Sequence, residues 1–199
     1  MTADPAEEKR ALRLAMRAAR EGLSADERVA RTIAAVERLL DLPAFAELEG
    51  RVIAGYVAVG GELSPAGALA FVRDQGGMVA LPRVSDAAPR LRFHTMTPET
   101  RLRTGRFGLL EPPDTAPEIR PADVAVMIVP GLAFDGGGRR VGFGGGYYDG
   151  VIEDARAGGA AVVGFAYDFQ IVDRCPVGEG DRAVDVVVTD ARVIEAAAG

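Results

Sequence analysis

The 199-residue chain contains no tryptophan, one cysteine, one histidine and, among its 23 basic residues, a single lysine, Lys9. With Cys175 alone, no intrachain disulfide is possible, and a zinc site built from several Cys and His ligands cannot be assembled around one histidine, His94. His94 stands in an alternating stretch, RLRFHTM at 90–96, that reads as a strand, and no GxSxG occurs, which argues against a Ser-His-Asp hydrolase. No run of about 18 apolar residues is present to cross a bilayer, and the opening MTADPAEEKR lacks the apolar centre of a signal peptide. A cytoplasmic protein with no membrane partner is expected. Acidic residues outnumber basic ones, 29 to 23, and a pI near 4.9 argues against a broad nucleic-acid face, which needs a basic surface. Any anion site in this chain has to be local.

What is present is enough apolar material, 48% of residues, to build a sizeable core. Asp4-Pro5-Ala6-Glu7 supplies an N-cap, a proline at the first helical position and an acid in the first turn, predicting a basic helix over 5–21 that stops at Gly22. On it Lys9, Arg13, Arg17 and Arg20 share one side, beside an apolar strip of Leu12, Met16 and Ala19. Ser24-Ala25-Asp26-Glu27 repeats the capping signal for a second helix bounded by Pro43, with Val29, Ile33, Val36 and Leu40 as its expected core stripe. Short β-branched runs follow, at 52–59, 78–84, 91–96, 124–129, 160–167 and 184–189, and read as strands. Segments 65–76 and 147–159 read as helices between them, and 98–123 as loop. Strands as continuously apolar as VAVMIV belong to a sheet covered on both faces. The expected class is therefore α/β, a layered α/β/α sandwich with a largely parallel sheet, in a single domain over 1–199.

The densest chemical signal is PGLAFDGGGRRVGFGGGYYDG at 130–150, between the VAVMIV strand and a helix. Seven glycines stand in the eleven residues 136–146, where a single turn needs one or two and each unneeded glycine costs roughly 1 kcal/mol of backbone entropy. Glycines ahead of a helix N-terminus leave backbone amides open to an anion, so the loop reads as a phosphate site. It is neither of the common kinds. GxGxxG fails because Tyr147 stands where the third glycine would be, and a Walker A loop needs a lysine that is missing. Arg139 and Arg140 offer guanidinium forks for phosphate oxygens, and Asp149 a carboxylate for Mg2+.

This stretch resembles the signature of the 5-formyltetrahydrofolate cyclo-ligase family, approximately PGxAFDxxGxRLGxGxGYYD. The resemblance extends to KRALRLAMRAAR at 9–20, GYVAVGGELSP at 55–65, FGLLEP at 107–112, GFAYDFQ, and GDRAVDVVVT, in the family's order along nearly the whole chain. The chain departs from the pattern at Leu63-Ser64-Pro65, at Gly150 and at Gly180. A monomer is expected, and the resemblance implies an ATP-dependent ligase that converts 5-formyltetrahydrofolate to 5,10-methenyltetrahydrofolate with release of ADP and phosphate. It implies ATP contacts at Lys9, Arg13, Arg140, Val141, Gly142, Phe143, Gly144, Gly145, Gly146, Tyr147 and Tyr148. It further implies folate contacts at Val57, Glu62 and Phe143 to Tyr147, and Mg2+ ligands at Asp149 and Asp181. Lys9, Arg140 and Tyr147 would serve the reaction itself, and Glu111-Pro112 would be structural. The alternative reading is a non-catalytic nucleotide- or pterin-binding module on the same fold; a sugar-phosphate or acyl-CoA enzyme rests on fold analogy alone.

Overall fold

The computed structural model describes residues 4–85, 90–176, 178 and 180–196, with only the backbone of Phe107. Its helices are α1 (Pro5–Glu21), α2 (Ala25–Leu40), α3 (Ala66–Asp74) and α4 (Tyr147–Ala157). Both expected N-caps form. The Asp4 carboxylate accepts from the Ala6 amide, and Ser24 and Glu27 close a reciprocal capping box.

The longer strands are β1 (Val52–Ala54), β2 (Met78–Val84), β3 (Leu91–Met96), β7 (Val126–Val129), β10 (Ala161–Phe165), β12 (Val186–Val188) and β13 (Val193–Glu195). Two-residue pieces are β4 (Arg103–Thr104), β5 (Leu110–Glu111), β6 (Glu118–Ile119), β9 (Arg140–Val141) and β11 (Ile171–Val172), and β8 covers Ala133–Asp135. An eight-stranded sheet runs β13-β12-β10-β7-β1-β2-β3-β6. Its five central strands, β12 to β2, are parallel, whereas β13 on one edge pairs antiparallel with β12, and on the other edge β3 runs antiparallel to both β2 and β6. A small sheet, β11-β8-β9, stands beside it.

The period of two along each central strand divides the core into two layers. Ile53, Val126, Ile128, Val163 and Val188 face α2 and α3 through Ala35, Leu39, Leu69 and Val72. Val52, Ala54, Met127, Val129, Val162 and Val187 face α4 through Val151, Ile152 and Ala155. Covering on both faces is why VAVMIV is apolar at every position. α1 lies outside these layers, and its Leu12 and Met16 pack on Ala133, Val141 and Cys175 of the small sheet and its flank.

Three expectations are corrected. Val29 and Ile33 are 59% and 55% exposed rather than core. The inward row of α2 is Arg28, Thr32, Ala35 and Leu39 instead, because its polar members have partners: Arg28 donates to the Leu23 carbonyl and Thr32 hydrogen-bonds Tyr167. Ala19, expected in the apolar strip, is likewise exposed, whereas Arg20, on the basic side of α1, is buried. The strand expected over 52–59 stops at Ala54. Gly55 lies hard against Leu69, and the Tyr56 hydroxyl donates to the Leu63 carbonyl at 2.6 Å, so the chain leaves the ladder and forms a cleft wall.

Candidate active site

The parallel strands β1 and β7 end at Ala54 and Val129, and the segments that follow them, 55–62 and 130–146, open around a cleft of about 500 Å³. Clefts at the carboxyl ends of parallel strands are where α/β sheets bind ligands, since the departing loops diverge there. α1 closes one side. Lys9 and Arg13, one turn apart, both line the cleft because Leu12 and Met16 anchor the adjacent face of the helix.

The glycine loop is fastened to α1 at several points. Arg13 Nε donates to the Gly142 carbonyl at 2.8 Å, and the guanidinium groups of Arg17 and Arg20 lie 5.8 and 6.0 Å from the Phe143 ring centroid. Glycine is required at two positions in particular. Gly144 has φ of +108°, and Gly146, with φ of +64°, is the left-handed N-cap of α4. No side chain caps α4, an arrangement suited to a bound anion at its first turn.

Two ion pairs cross the cationic end of the cleft. Lys9 Nζ lies 2.5 Å from Asp181 Oδ2, which also accepts from the Gly178 amide at 2.8 Å. Arg140 donates to Asp149 Oδ1 at 2.7 Å, and the Arg182 amide donates to the same oxygen at 3.0 Å. Partial burial works against ionisation of Asp181, but the Lys9 ammonium and the Gly178 amide outweigh it and hold the carboxyl below its ordinary value. Asp181 is thus a carboxylate at neutral pH, as a hard oxygen ligand must be, and Asp149 is held beside the Arg140 guanidinium.

The opposite arm is apolar, with Val57, Val59, Pro82, Val84, Leu91 and Leu110 on its walls. Glu62 stands among these with 8% of its surface exposed. Positive φ at Gly60 and Gly61 turns the chain before it, and the Val59 amide donates to its Oε2 at 3.0 Å. Burial pushes the Glu62 carboxyl up to about 7, against the opposing pull of the Val59 amide and of Arg20. Tyr56 and Tyr148, which share this end of the cleft, are driven up by burial as well and stay protonated.

The residues to which the resemblance assigns ATP, folate or Mg2+ contacts all line this one cleft: Lys9 and Arg13 of α1, Val57 and Glu62, Arg140 through Asp149, and Asp181. Sequence reasoning missed Tyr56, the apolar wall from β2 and β3, and the proximity of Glu111. Glu111 is 3% exposed and accepts from the Val84 amide at 3.2 Å. Those wall residues carry no signal of their own, since in sequence they are ordinary strand positions. Arg139 points away from phosphate chemistry, being tied at 2.9 Å to the buried Asp135. His94 is a β3 residue whose Nδ1 is paired with the Ala116 carbonyl at 2.7 Å.

A single-domain α/β fold with a glycine loop, a cationic end and a buried carboxylate in one cleft is the framework of a ligand-activating enzyme. A model of the 5-formyltetrahydrofolate cyclo-ligase family matches residues 5–190. The 5-formyltetrahydrofolate cyclo-ligase of Escherichia coli K12 is 32% identical over 145 residues, covering 72% of this chain and 80% of that protein. Its namesake from Mycolicibacterium smegmatis is 36% identical over 157 residues, covering 75% and 79%. The solution structure of Aquifex aeolicus 5,10-methenyltetrahydrofolate synthetase superposes with a TM-score of 0.82 at 32% identity, over 96% of this chain and 94% of that one. The synthetase from Mycoplasma pneumoniae, at 20% identity and TM-score 0.74 over 92% and 98%, shares the fold. The chain belongs to the 5-formyltetrahydrofolate cyclo-ligase family, and is an enzyme of that ligase class.

Proposed function

We propose that the protein converts 5-formyltetrahydrofolate to 5,10-methenyltetrahydrofolate at the expense of ATP, releasing ADP and phosphate. One observation carries this reading: a polar, cationic phosphate end and an apolar end holding the buried Glu62 are halves of the same cleft, joined by Gly142 to Tyr147. The two substrates would meet across that loop.

The chemistry explains why both halves are needed. A formyl oxygen on N5 is too poor a leaving group for N10 to displace. Its attack on the γ-phosphorus forms a P–O bond as the bond to ADP breaks, N10 then adds to the activated carbon and releases its proton to water, and the oxygen departs with phosphate. Phosphoryl transfer depends on in-line positioning and on charge at the equatorial oxygens. Lys9, Arg13 and Arg140 supply that charge, and the Gly142–Gly146 backbone lets the phosphates approach. Tyr147, half-buried at the start of α4, sits where the two substrates would touch. The Glu62 carboxylate accepts from the N–H groups of the pterin, its Oε1 being buried in the cleft wall without a hydrogen-bond partner among the described residues.

Mg2+ takes few protein carboxylates and completes its shell with phosphate oxygens and water. Asp149 and Asp181, two carboxylates lining the cleft beside the glycine loop, are the residues that would hold the ion. When bound, the ion would neutralise phosphate charge. In the ligand-free protein each carboxylate is matched to a cation that the phosphates would claim, so phosphate and metal binding support one another. No helix among the described residues is long and apolar enough to cross a membrane, in keeping with a cytoplasmic site of action, and we infer that one domain carries the whole reaction.

The test is direct. Protein, Mg-ATP and 5-formyltetrahydrofolate should yield the near-ultraviolet absorbance of the methenyl product together with equimolar ADP. Binding of both ligands without either product would assign the fold to ligand storage instead.

A further inference from the structure

Arg20 ends the basic face of α1 yet keeps 2% of its surface exposed, a placement that a solvated arginine has no reason to adopt. One terminal nitrogen donates to the Gly131 carbonyl at 2.5 Å, at the start of the segment that becomes the glycine loop. The other stands 3.9 Å from Glu62 Oε1. That gap is too long for a hydrogen bond and short enough for strong attraction between buried charges. Gln170 donates to the same Gly131 carbonyl at 2.9 Å, so the anchor that restrains Arg20 is itself fixed. Glu62 Oε1 and Arg20 Nε are both buried without a hydrogen-bond partner among the described residues. A guanidinium free to move would close on the carboxylate in a bidentate fork; the Gly131 carbonyl holds it back.

We propose that Arg20 is a positioning residue for the folate side of the reaction: anchored on Gly131, it keeps Glu62 charged and aimed while leaving the buried Oε1 without a protein donor, so that its accepting capacity is reserved for a substrate N–H. The proposal rests on the cyclo-ligase reading for the identity of that donor. The other groups facing Glu62 do not supply a positive charge. Tyr56, beyond β1, and Tyr148, on α4, are held neutral by burial, and the Val59 amide is a dipole on the other oxygen. Arg28 of α2 lies against the backbone of Gly61 and is committed to the Leu23 carbonyl. The opposing pull of Arg20 on the burial-raised Glu62 carboxyl agrees with this geometry.

The test compares Arg20→Gln, which loses the charge but can still donate to Gly131, with Arg20→Lys, which keeps the charge. The side-chain carboxyl 13C signal of Glu62, assigned by its loss in Glu62→Gln, is titrated in the ligand-free protein. Arg20→Gln should move its midpoint upward by about one unit or more, and Arg20→Lys should restore it. In turnover, Arg20→Gln should raise KM for 5-formyltetrahydrofolate about tenfold with little change in KM for ATP, and shift the acid limb of the rate profile to higher pH. An unmoved Glu62 midpoint in Arg20→Gln, or equal rises in both KM values, overturns the role. If the unaltered protein makes no methenyl product, the reaction assignment fails, and the carboxyl titration still decides whether Arg20 governs Glu62.

Discussion

The ammonium of Lys9 lies 2.5 Å from the carboxylate of Asp181, 172 positions away in the chain. The only lysine of the protein is therefore at the cationic end of the cleft, paired with an acid proposed to hold Mg2+.

Removing that ammonium should separate function from stability. The pair is partly exposed, at 19% and 28%, so Lys9→Ala should cost no more than about 1 kcal/mol of folding free energy. Turnover should fall by about 10²–10³-fold, as for other groups that stabilise transferring charge. Lys9→Arg tests shape, because a planar fork replaces a compact point charge, and wild-type turnover in that variant would remove any special role for lysine. Thermal unfolding and initial rates on the same samples decide both.

Glu62 gives a pH signature in stability. Its carboxyl is raised from 4.5 unfolded to about 7 folded, so the native state binds more protons than the unfolded state between those values. Its contribution is fully present below 4.5 and is lost as pH rises through about 7. Glu62→Gln, which cannot ionise, should remove that slope and be the more stable protein above pH 7, by about 1–3 kcal/mol. It should also lose folate affinity. Urea unfolding at pH 5 and pH 8, compared between the two proteins, measures the difference.

Gly138 should tolerate no side chain. Its φ is +70°, its carbonyl accepts from the Val184 amide at 2.8 Å, and an added Cβ would collide with the backbone oxygen of Val184. Gly138→Ala should destabilise by at least 1–2 kcal/mol, the cost of the left-handed conformation alone, and disturb the segment that leads to Asp181. A melting temperature equal to wild type would contradict this.

Gly150 should behave in the opposite way. It lies in the first half of α4, exposed, with nothing within 4 Å of an added Cβ and no positive φ. Gly150→Ala should stabilise by about 0.4–1 kcal/mol through reduced freedom of the unfolded chain, with turnover unchanged. Calorimetry and rate assays check it.

The sequence was informative wherever a local rule applies. Asp4-Pro5 and Ser24-Glu27 mark helix starts because caps are satisfied by neighbours in the chain, and both helices begin and end where those signals stand. The glycines of 136–146 announce close backbone approach, and the motif around them leads to the family and to the polar side of the cleft, though not to Tyr56 or the apolar wall of Pro82, Val84 and Leu91. Apolar periodicity was less reliable on α2, where Val29 and Ile33 are exposed because Arg28 and Thr32 find polar partners inward. The Thr32 partner, Tyr167, is distant in sequence, and neither partner leaves a periodic trace. The same reason hides the early end of β1, which depends on Leu69 of α3 lying against Gly55. What only the tertiary structure decided is the pairing of groups across the cleft: Lys9 with Asp181, Arg140 with Asp149, and Arg20 held by Gly131 short of Glu62. Charge and burial act through space, and nothing in the run Lys9, Arg13, Arg17, Arg20 marks Arg20 as the member enclosed beside Glu62.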